Sequence, residues 1–405
     1  SSTDPELTGL PVVPLTMTME MLAEVASLLQ PGRQLVGMRD VRGYRWITVE
    51  RETVALRLTA SSRATDGASE IFAQVFEEDS GSDSPVAEAI LIFGDSFPEP
   101  PVAEQLELRG ERPSKWTPER LYRDVMFHGP AFRGVVAMER WGEDGAEAAL
   151  QALPAENLFK AVADPAFLTD PVLLDQPGQV VGYWTSEHLD TGFVVFPFHL
   201  EALELYGPRP VPGSQFKCRA RIRLEGEQQV DSDLDVVDQE ERLLARFRGW
   251  KDLRFDLPAP FLSFLHHPAE VTLSESWPVP VSWLRGSAGA LAFRLGLDRF
   301  PEDFFKQHGG IWQRVLAHAL LSRRERDLWS SLHTPEPRRI EWLLGRVAAK
   351  DALRRYLAEQ HNLALPPADI EILPDEHGRP VVRGAWTARL ERVPLLSLSH
   401  SDGVA

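Results

Sequence analysis

Hydrophobic residues recur at two different spacings in the first part of the chain, and these spacings separate a predicted helix from predicted strands. Apolar side chains recur at helical spacing over Met17–Leu29, and Pro31-Gly32 ends that helix. Four strand-like runs then alternate with segments rich in Ser, Gly and Asp. These runs are Gln34–Val41, Trp46–Leu58, Glu70–Glu77 and Ala87–Phe93.

The same order of elements returns after a Pro- and Glu-rich connection at Pro98–Pro113. Val135–Leu150 is predicted to be a strand pair that turns at Gly142–Gly145, and Leu174–Trp184 is predicted to be a helix. Four further runs are predicted strands: Phe193–Leu205, Gln215–Leu224, Val230–Val237 and Leu243–Trp250. A helix followed by antiparallel strands, met twice, predicts an α+β double hotdog, in which two antiparallel sheets each wrap a central helix. This duplication rests on element order, because the two halves show no sequence identity.

A third region begins at Pro258–Pro280, where five prolines and little periodicity predict a domain boundary. Beyond it, Gly309–Leu332 and Arg338–Leu357 are predicted amphipathic helices rich in arginine, and Pro380–Val382 and Leu395–Ser399 are predicted short strands. The predicted organisation is therefore a first hotdog over 1–115, a second over 116–257, a linker over 258–275 and a separate α+β domain over 276–405.

Length and charge limit the classes of function. A chain of 405 residues is too long for a single core. Its net charge of −17 argues against wholesale nucleic-acid binding and against docking on an anionic membrane. The single cysteine, Cys218, excludes a disulfide framework and a cysteine zinc site, and its strand pattern predicts a core position. No apolar run reaches the length of a bilayer span and no signal peptide is present, so we expect a cytoplasmic protein.

The stretch Asp170–Trp184 carries the first candidate chemistry. Asp175 and Gln179 are four residues apart, which places both side chains on one face of a helix. Pro177 suits a first helical turn, so the acid and the amide are predicted to lie at the head of an apolar helix beside a deep pocket. Two other interpretations stay open: Asp175 could cap the helix, and Gln179 could be a buried amide bonded to backbone.

Two motifs give this region a family resemblance. Leu121–Phe132, with His128-Gly-Pro, resembles the HGPxF motif in dehydratase domains of polyketide and polyunsaturated-fatty-acid synthases, and Leu174–Gln179 is similar to their DxxxQ motif. Leu10–Pro14 looks like the segment that follows the family's first catalytic motif. The resemblance implies a double hotdog that removes water from a 3-hydroxyacyl chain on an acyl carrier protein without a cofactor or metal. It also implies that Asp175 is the acid and that Gln179 orients it or binds the substrate hydroxyl.

The family's base is a histidine in a DHxxxG motif, and here Pro5 stands at that position in Asp4–Gly9. Either the domain has lost its base and is a binding scaffold, or the histidine lies upstream of Ser1. We favour the second, because Asp175 and Gln179 have no obvious reason to persist in an inactive site. His128 could transfer protons or only shape the wall of the pocket. His188 and His199 are possible substitutes, although solvated or structural roles are the safer interpretation.

The third region carries a basic stripe. Arg339, Arg346, Lys350 and Arg354 are spaced seven, four and four residues apart and share one helical face. This stripe could bind a polyphosphate, or it could be a solvated face with Glu341 and Asp351 as salt partners.

Three linked motifs then resemble the amino-terminal half of a phosphopantetheinyl transferase of the Sfp type. They are GRxAA at Gly345–Ala349, G[KR]P at Gly378–Pro380 and SxSHS at Ser397–Ser401. The resemblance implies that coenzyme A, chiefly its phosphates, is contacted by Arg346, Lys350, Arg379 and His400. The acidic magnesium ligands and the base would come from a second half beyond Ala405. We therefore expect coenzyme A and magnesium to serve only a complete transferase, and no pantetheinyl transfer by this chain alone.

Together these features predict a dehydratase segment of a multidomain polyketide synthase fused to a truncated phosphopantetheinyl transferase, an order that resembles enediyne-type and other iterative synthases. The alternative is a catalytically silent double hotdog that serves as a scaffold or as a docking module for carrier proteins. The expected partners are an acyl carrier protein and other domains of the same synthase, and a homodimer is plausible. Arg120, Arg123 and Arg133 form a candidate basic patch for an acidic carrier.

Overall fold

The computed structural model describes residues 2–4, 7–50, 53–63, 69–78, 81–156, 158–159, 161–162, 165–189, 193–278 and 290–405. The chain folds as two compact units, Val12–Asp256 and Leu257–Ala405, and the described part of Ser1–Pro11 belongs to the second. The backbone N–H of Thr3 donates to the carboxylate of Asp369, and Arg326 donates to the carbonyl of Thr8 at 3.0 Å. The prediction that 1–115 forms the first hotdog is therefore wrong for these first residues.

Within the described residues, the unit Val12–Asp256 holds two long α-helices, one short α-helical turn and ten strands. In chain order these are α1 (Leu15–Ser27), β1 (Gln34–Gly43), β2 (Leu56–Arg63), β3 (Ser69–Glu77), β4 (Ala87–Gly94), α2 (Pro118–Arg120), β5 (Val135–Gly142), β6 (Gly145–Gln151), α3 (Pro171–His188), β7 (Phe193–Leu205), β8 (Gln215–Glu225), β9 (Gln229–Val237) and β10 (Leu243–Asp256).

All ten strands pair antiparallel in one sheet with the order β2-β3-β4-β1-β7-β10-β9-β8-β6-β5. The two predicted sheets are continuous, because β1 and β7 form hydrogen bonds with Met38 opposite Leu203. The helix α1 packs on the β2–β4 side of the junction and α3 on the β5–β9 side, and the two helices also contact each other. This is the double hotdog that the element order predicts.

Alternating burial explains why these strands form. In β4 the apolar side chains Ala87, Ala89, Leu91 and Phe93 are buried, while the residues between them are only partly covered. One face of the strand therefore contributes to the core, as period-two patterning requires. Cys218 of β8 is fully buried, which confirms its predicted core position.

The central helix α3 begins earlier than the sequence indicates. Asp170 is its N-cap, and the carboxylate of Asp170 accepts a hydrogen bond from the backbone N–H of Leu173 at 2.9 Å. Asp175 is therefore not the capping residue, and Pro177 lies inside the helix rather than in its first turn. The second predicted strand also differs, since Trp46–Leu58 becomes a strand only from Leu56.

Within the described residues, the unit Leu257–Ala405 has four α-helices and four short strands. It contains α4 (Ala259–His266), β11 (Glu275–Trp277), β12 (Ala292–Arg294), α5 (Gln307–Leu320), α6 (Arg323–Ser330), α7 (Glu336–His361), β13 (Glu371–Pro374) and β14 (Pro380–Arg383). The helix α4 occupies part of the predicted linker.

Two predictions for this unit are wrong. The single helix expected over Gly309–Leu332 is two helices, because Ser322 and Glu325 form a capping box that starts α6. The residues Leu395–Ser399 do not form a strand. Within the described ranges, no helix combines the length and the apolar character needed to cross a bilayer.

Candidate active site

One face of α3 presents three polar side chains at intervals of four residues: Asp175, Gln179 and Tyr183. The side chain of Asp175 is 14% exposed, whereas Gln179 and Tyr183 are buried. Four-residue spacing keeps them in one line along the helix. Asp175 and Gln179 are hydrogen-bonded to each other, whereas the hydroxyl of Tyr183 has no hydrogen-bond partner among the described residues. The sequence analysis identified the first two and missed Tyr183, although its i+8 position was a usable signal.

Gln179 connects the site to the backbone. Its amide nitrogen donates to Oδ2 of Asp175 at 2.8 Å and to the carbonyl of Phe132 at 2.9 Å. Its amide oxygen accepts from the hydroxyl of Tyr122 at 2.7 Å. Gln179 is thus both a backbone-bonded amide and a partner of Asp175, so the two predicted alternatives hold together.

Tyr122 was not singled out from the sequence. Its hydroxyl accepts from the backbone N–H of Val135 at 2.9 Å while it donates to Gln179. Burial raises the pKa of the Tyr122 phenol well above its ordinary value, so the group stays a neutral donor. The ring of Tyr183 meets that of Tyr122 edge-on with centroids 6.1 Å apart. The hydrogen bond from Tyr122 fixes the orientation of the Gln179 amide.

The loop that carries the His-Gly-Pro motif brings His128 to the acid. Nε2 of His128 lies 3.3 Å from Oδ2 of Asp175, and both side chains are partly open to solvent. The ring of Phe127 stacks on the imidazole at 5.3 Å, and Nε of Arg133 donates to the carbonyl of His128 at 2.9 Å. The loop therefore does more than shape a wall, because it holds an imidazole against the carboxyl group.

The first half of the unit contributes a hydroxyl. Oγ1 of Thr16, at the start of α1, lies 3.5 Å from Oδ1 of Asp175. Pro5, which stands where the family has its histidine, lies outside the described residues. The two substitute histidines have other neighbours: His188 stacks on Trp184 at 4.4 Å, and Nε2 of His199 lies 3.1 Å from Oδ1 of Asp40.

The arrangement places a carboxyl group and an imidazole in direct contact, and these are two groups that can serve as proton donor and proton acceptor. Nδ1 of His128 has no hydrogen-bond partner among the described residues, and Nε2 is the ring nitrogen that faces Asp175.

In the second unit, Lys350 is not available to a ligand, contrary to the prediction from the sequence. Its ammonium group is fully buried and donates to Glu325 at 2.6 Å, to the carbonyl of Leu320 at 2.8 Å and to that of Pro367 at 3.1 Å. These contacts use all three N–H donors of the group. Burial lowers the pKa of the ammonium, and the adjacent carboxylate of Glu325 opposes that effect.

Arg346 and Arg354 also face inward, whereas Arg339 is only partly buried and its guanidinium covers the ring of Trp329 at 4.6 Å. Nε of Arg346 lies 3.6 Å from Glu325, and its guanidinium covers the ring of Trp342 at 4.2 Å. Arg354 donates to the carbonyls of Leu365 and Val271, and to Asp351 at 3.2 Å. The solvated face is therefore wrong for these two arginines, while contact of Arg346 with coenzyme A stays a prediction. Arg346, Lys350 and Arg354 are buried because α7 packs against the other elements of its unit, with Glu325 and Asp351 as their counter-charges.

His400 and Arg379 remain open to a ligand. The side chain of His400 is 40% exposed, with Nδ1 3.8 Å from Glu341. Arg379 is held by its backbone N–H, which donates to Asp375 at 2.8 Å, and its side chain is exposed. Glu341 also lines a cleft of about 450 Å³, together with Arg294, Leu297, Asp298, Pro337, Asp402, Gly403 and Val404. The described residues contain no cluster of three or more potential metal ligands.

Comparison with known proteins adds to this geometry. Residues 100–254 match the family model described as the polyketide synthase dehydratase N-terminal domain. The dehydratase domain from the CurF module of curacin polyketide synthase is similar over 61% of this chain and 85% of its own, with 19% identity and a TM-score of 0.49. The dehydratase domain of PpsC from Mycobacterium tuberculosis is similar over 61% and 86%, with 18% identity and a TM-score of 0.47. Because both TM-scores lie below 0.5, these two likenesses carry no weight in the family assignment.

The C-terminal part is similar to holo-[acyl-carrier-protein] synthases. That of an Exiguobacterium species is 38% identical over 86 residues, which are 21% of this chain and 66% of that protein. That of Geobacillus kaustophilus is 37% identical over 92 residues, which are 23% of this chain and 67% of that protein. The matched segments thus span about two thirds of these relatives. The chain therefore joins a polyketide synthase dehydratase domain to a segment of the holo-[acyl-carrier-protein] synthase family of phosphopantetheinyl transferases.

Proposed function

We propose that the unit Val12–Asp256 removes water from a 3-hydroxyacyl thioester carried by an acyl carrier protein, with Asp175 as the general acid and His128 as the general base. The observation that carries this proposal is the 3.3 Å contact between Nε2 of His128 and Oδ2 of Asp175. Acid and base must reach neighbouring atoms of one substrate, the C3 hydroxyl and the C2 proton, so they must lie close together.

In the proposed reaction, the lone pair on Nε2 of His128 takes the proton from C2 of the substrate. The electrons of that C–H bond form the C2–C3 double bond, and the C3–O bond breaks. Protonated Asp175 gives its proton to the departing hydroxyl, which leaves as water. The products are the enoyl thioester, water, an imidazolium and a carboxylate.

The short distance also closes the cycle. The imidazolium of His128 and the carboxylate of Asp175 are in contact, so the proton can pass directly from Nε2 to Oδ2. The proposed reaction requires this transfer before the next turnover, because it uses a protonated Asp175 and a neutral His128. Gln179 and Tyr122 hold the carboxyl group in this orientation, and they act as positioning residues.

The carrier protein is the proposed partner, and the arginines near the site support it. Arg120 and Arg123 both bond to Asp124, whose pKa their guanidiniums hold well below its usual value. The guanidinium of Arg133 has no carboxylate partner among the described residues, and it covers the ring of Tyr122 at 5.6 Å. Glu119 also interacts with Arg123, so three cations face two anions and leave an excess of one positive charge in this group, although the whole chain is acidic.

Mass spectrometry of a 3-hydroxyacyl pantetheine incubated with the protein tests the dehydration. We expect loss of water with the chain as it stands, loss of that activity in Asp175→Asn and His128→Gln, and retention in the matched control His199→Gln. Activity that persists in His128→Gln would assign the base elsewhere. Activity seen only in a longer chain that includes an upstream Asp-His would show that the base is the histidine expected from the family motif. Absence of turnover in every form would favour the scaffold function.

For the second unit we propose that His400 and Arg379 bind coenzyme A. This binding would serve pantetheinyl transfer where magnesium and further residues complete the transferase. Calorimetric titration of coenzyme A is expected to show weaker binding in His400→Ala and in Arg379→Met. The control Arg355→Met should bind as the unmodified protein does, because Arg355 already pairs with Glu359 on an exposed face of α7.

A further inference from the structure

We propose that four aromatic side chains beside His128 form the binding surface for an apolar acyl chain, which makes a thioester with a long hydrocarbon tail the preferred substrate class. The residues of this aromatic surface are Trp46, Phe127, Phe196 and Phe255. The inference rests on the proposed dehydration, because it states where the part of that reaction's substrate beyond C3 would bind.

The four rings follow one another in a continuous chain of contacts that starts at the catalytic imidazole. Phe127 stacks on His128 with centroids 5.3 Å apart and planes 11° apart. Phe127 lies 5.7 Å from Phe196, and Phe196 lies 4.7 Å from Trp46 and 5.7 Å from Phe255. A chain attached at C3 would therefore meet an aromatic face directly after the reacting atoms.

The surface is assembled from distant parts of the sequence. Phe196 lies in β7 and Phe255 in β10, and these neighbouring strands pair antiparallel with Leu253 opposite Phe196. Trp46 follows β1 in the first half of the unit and lies 5.3 Å from Phe255. Phe127 comes from the loop of the His-Gly-Pro motif. Convergence of four segments at one catalytic histidine indicates a shared role rather than incidental packing.

Exposure along this surface runs from solvent to core. Phe127 is 59% exposed, whereas Phe255 is 7% exposed. An exposed phenylalanine ring beside a reactive group loses contact with water when an apolar ligand covers it, and this favours binding. Phenylalanine rings provide no hydrogen-bond donor or acceptor, so the two amides of a pantetheine arm would be unsatisfied there. The hydrocarbon part of the substrate is the occupant that fits.

The test compares substrates of different length. 3-Hydroxybutyryl, 3-hydroxyoctanoyl and 3-hydroxydodecanoyl pantetheine are assayed for kcat/KM with the unmodified protein, with Phe127→Ser and with Phe196→Ser. We expect kcat/KM to rise by up to about fourfold for each methylene that the surface covers. Phe127→Ser should lower the value for the dodecanoyl substrate by roughly tenfold or more and that for the butyryl substrate by about twofold. The matched control is Phe159→Ser, since Phe159 is also an exposed phenylalanine but packs against Phe167.

A binding measurement separates this inference from the proposed reaction. Dodecanoyl and butyryl pantetheine, which cannot lose water, are titrated calorimetrically into the Asp175→Asn protein. Tighter binding of the dodecanoyl compound that Phe127→Ser removes would support the surface even if no dehydration is detected. Turnover without any dependence on chain length would overturn the surface and leave the dehydration intact. A change of oligomeric state in Phe127→Ser, without a change in chain-length preference, would assign the surface to contact with a second copy and also overturn the proposal.

Discussion

Replacing Lys350 by methionine tests whether the basic stripe of α7 is a ligand site or part of a folded core. Methionine keeps the length and apolar stem of the side chain and removes the charge. In the structure the ammonium group has three acceptors, Glu325 and the carbonyls of Leu320 and Pro367. The side chains of Lys350 and Glu325 are both fully buried. The substitution therefore leaves one buried anion and two buried carbonyl groups without their partner.

Removing one partner of a buried ion pair costs about 3–5 kcal/mol, because the remaining charge is not compensated. Glu325 keeps hydrogen bonds from the backbone N–H of Ser322 at 3.0 Å and of Ile372 at 3.1 Å, and Arg346 lies 3.6 Å away. These contacts place the expected loss at the lower end, about 3 kcal/mol. Domains are stable by about 5–15 kcal/mol, so this loss is a large fraction of the stability of the unit.

Hydrogen–deuterium exchange read by mass spectrometry measures the effect on the second unit alone. Peptides from α5, α6 and α7 should exchange faster in Lys350→Met, while peptides from the unit Val12–Asp256 should not change. Arg379→Met is the control, because an exposed side chain of this kind typically contributes within about 0.5 kcal/mol. The double variant Glu325→Gln with Lys350→Met should lose less than the sum of the two single changes, because it leaves no unpaired charge.

Two results would refute this reasoning. The first is a Lys350→Met protein with unchanged exchange in α5–α7, since the ion pair would then not hold these helices. The second is a Lys350→Met protein of unchanged stability that binds coenzyme A more weakly. Lys350 would then contact coenzyme A, as the family motif implies.

Three further predictions concern the first unit. Burial raises the pKa of Asp252 to about 8, so the folded protein keeps a proton that the unfolded chain releases above its ordinary pKa of 3.8. The free energy of unfolding should therefore fall as the pH rises from about 4 to about 8 and then level off. Urea unfolding at several pH values measures this slope, and Asp252→Asn should flatten it. Equal slopes for the two proteins would contradict the prediction. A β-carbon at Gly178 would lie 2.9 Å from the ring of Trp250, so Gly178→Ala should cost about 1–3 kcal/mol in the same assay. Gly207→Ala should be neutral, because a methyl group there would make only an ordinary van der Waals contact of 3.6 Å with Leu244. Tyr122→Phe should lower kcat by roughly tenfold with little change in KM, because it frees the amide that orients the acid; a change in KM alone would assign Tyr122 to substrate binding.

The hydrophobic pattern determined the type and order of most elements by itself. Strand burial follows a period of two and helix burial follows 3.6 residues, so β1, β3, β4 and the strands from β5 to β10 could be placed from the sequence. The repeated order of helix and strands then determined the double hotdog. Element ends were less certain, because caps such as Asp170 and Ser322 depend on single side chains that bond to nearby backbone groups.

Only the tertiary structure decided what the polar residues do. The four-residue spacing placed Asp175 and Gln179 on one face, but the contacts from His128, Tyr122 and Thr16 come from segments far away in the chain. A helical stripe of arginine and lysine shows the same spacing whether it faces water, a ligand or a buried carboxylate. Glu325, twenty-five positions before Lys350, decides between these states, because the energy of a charge depends on which groups surround it in three dimensions.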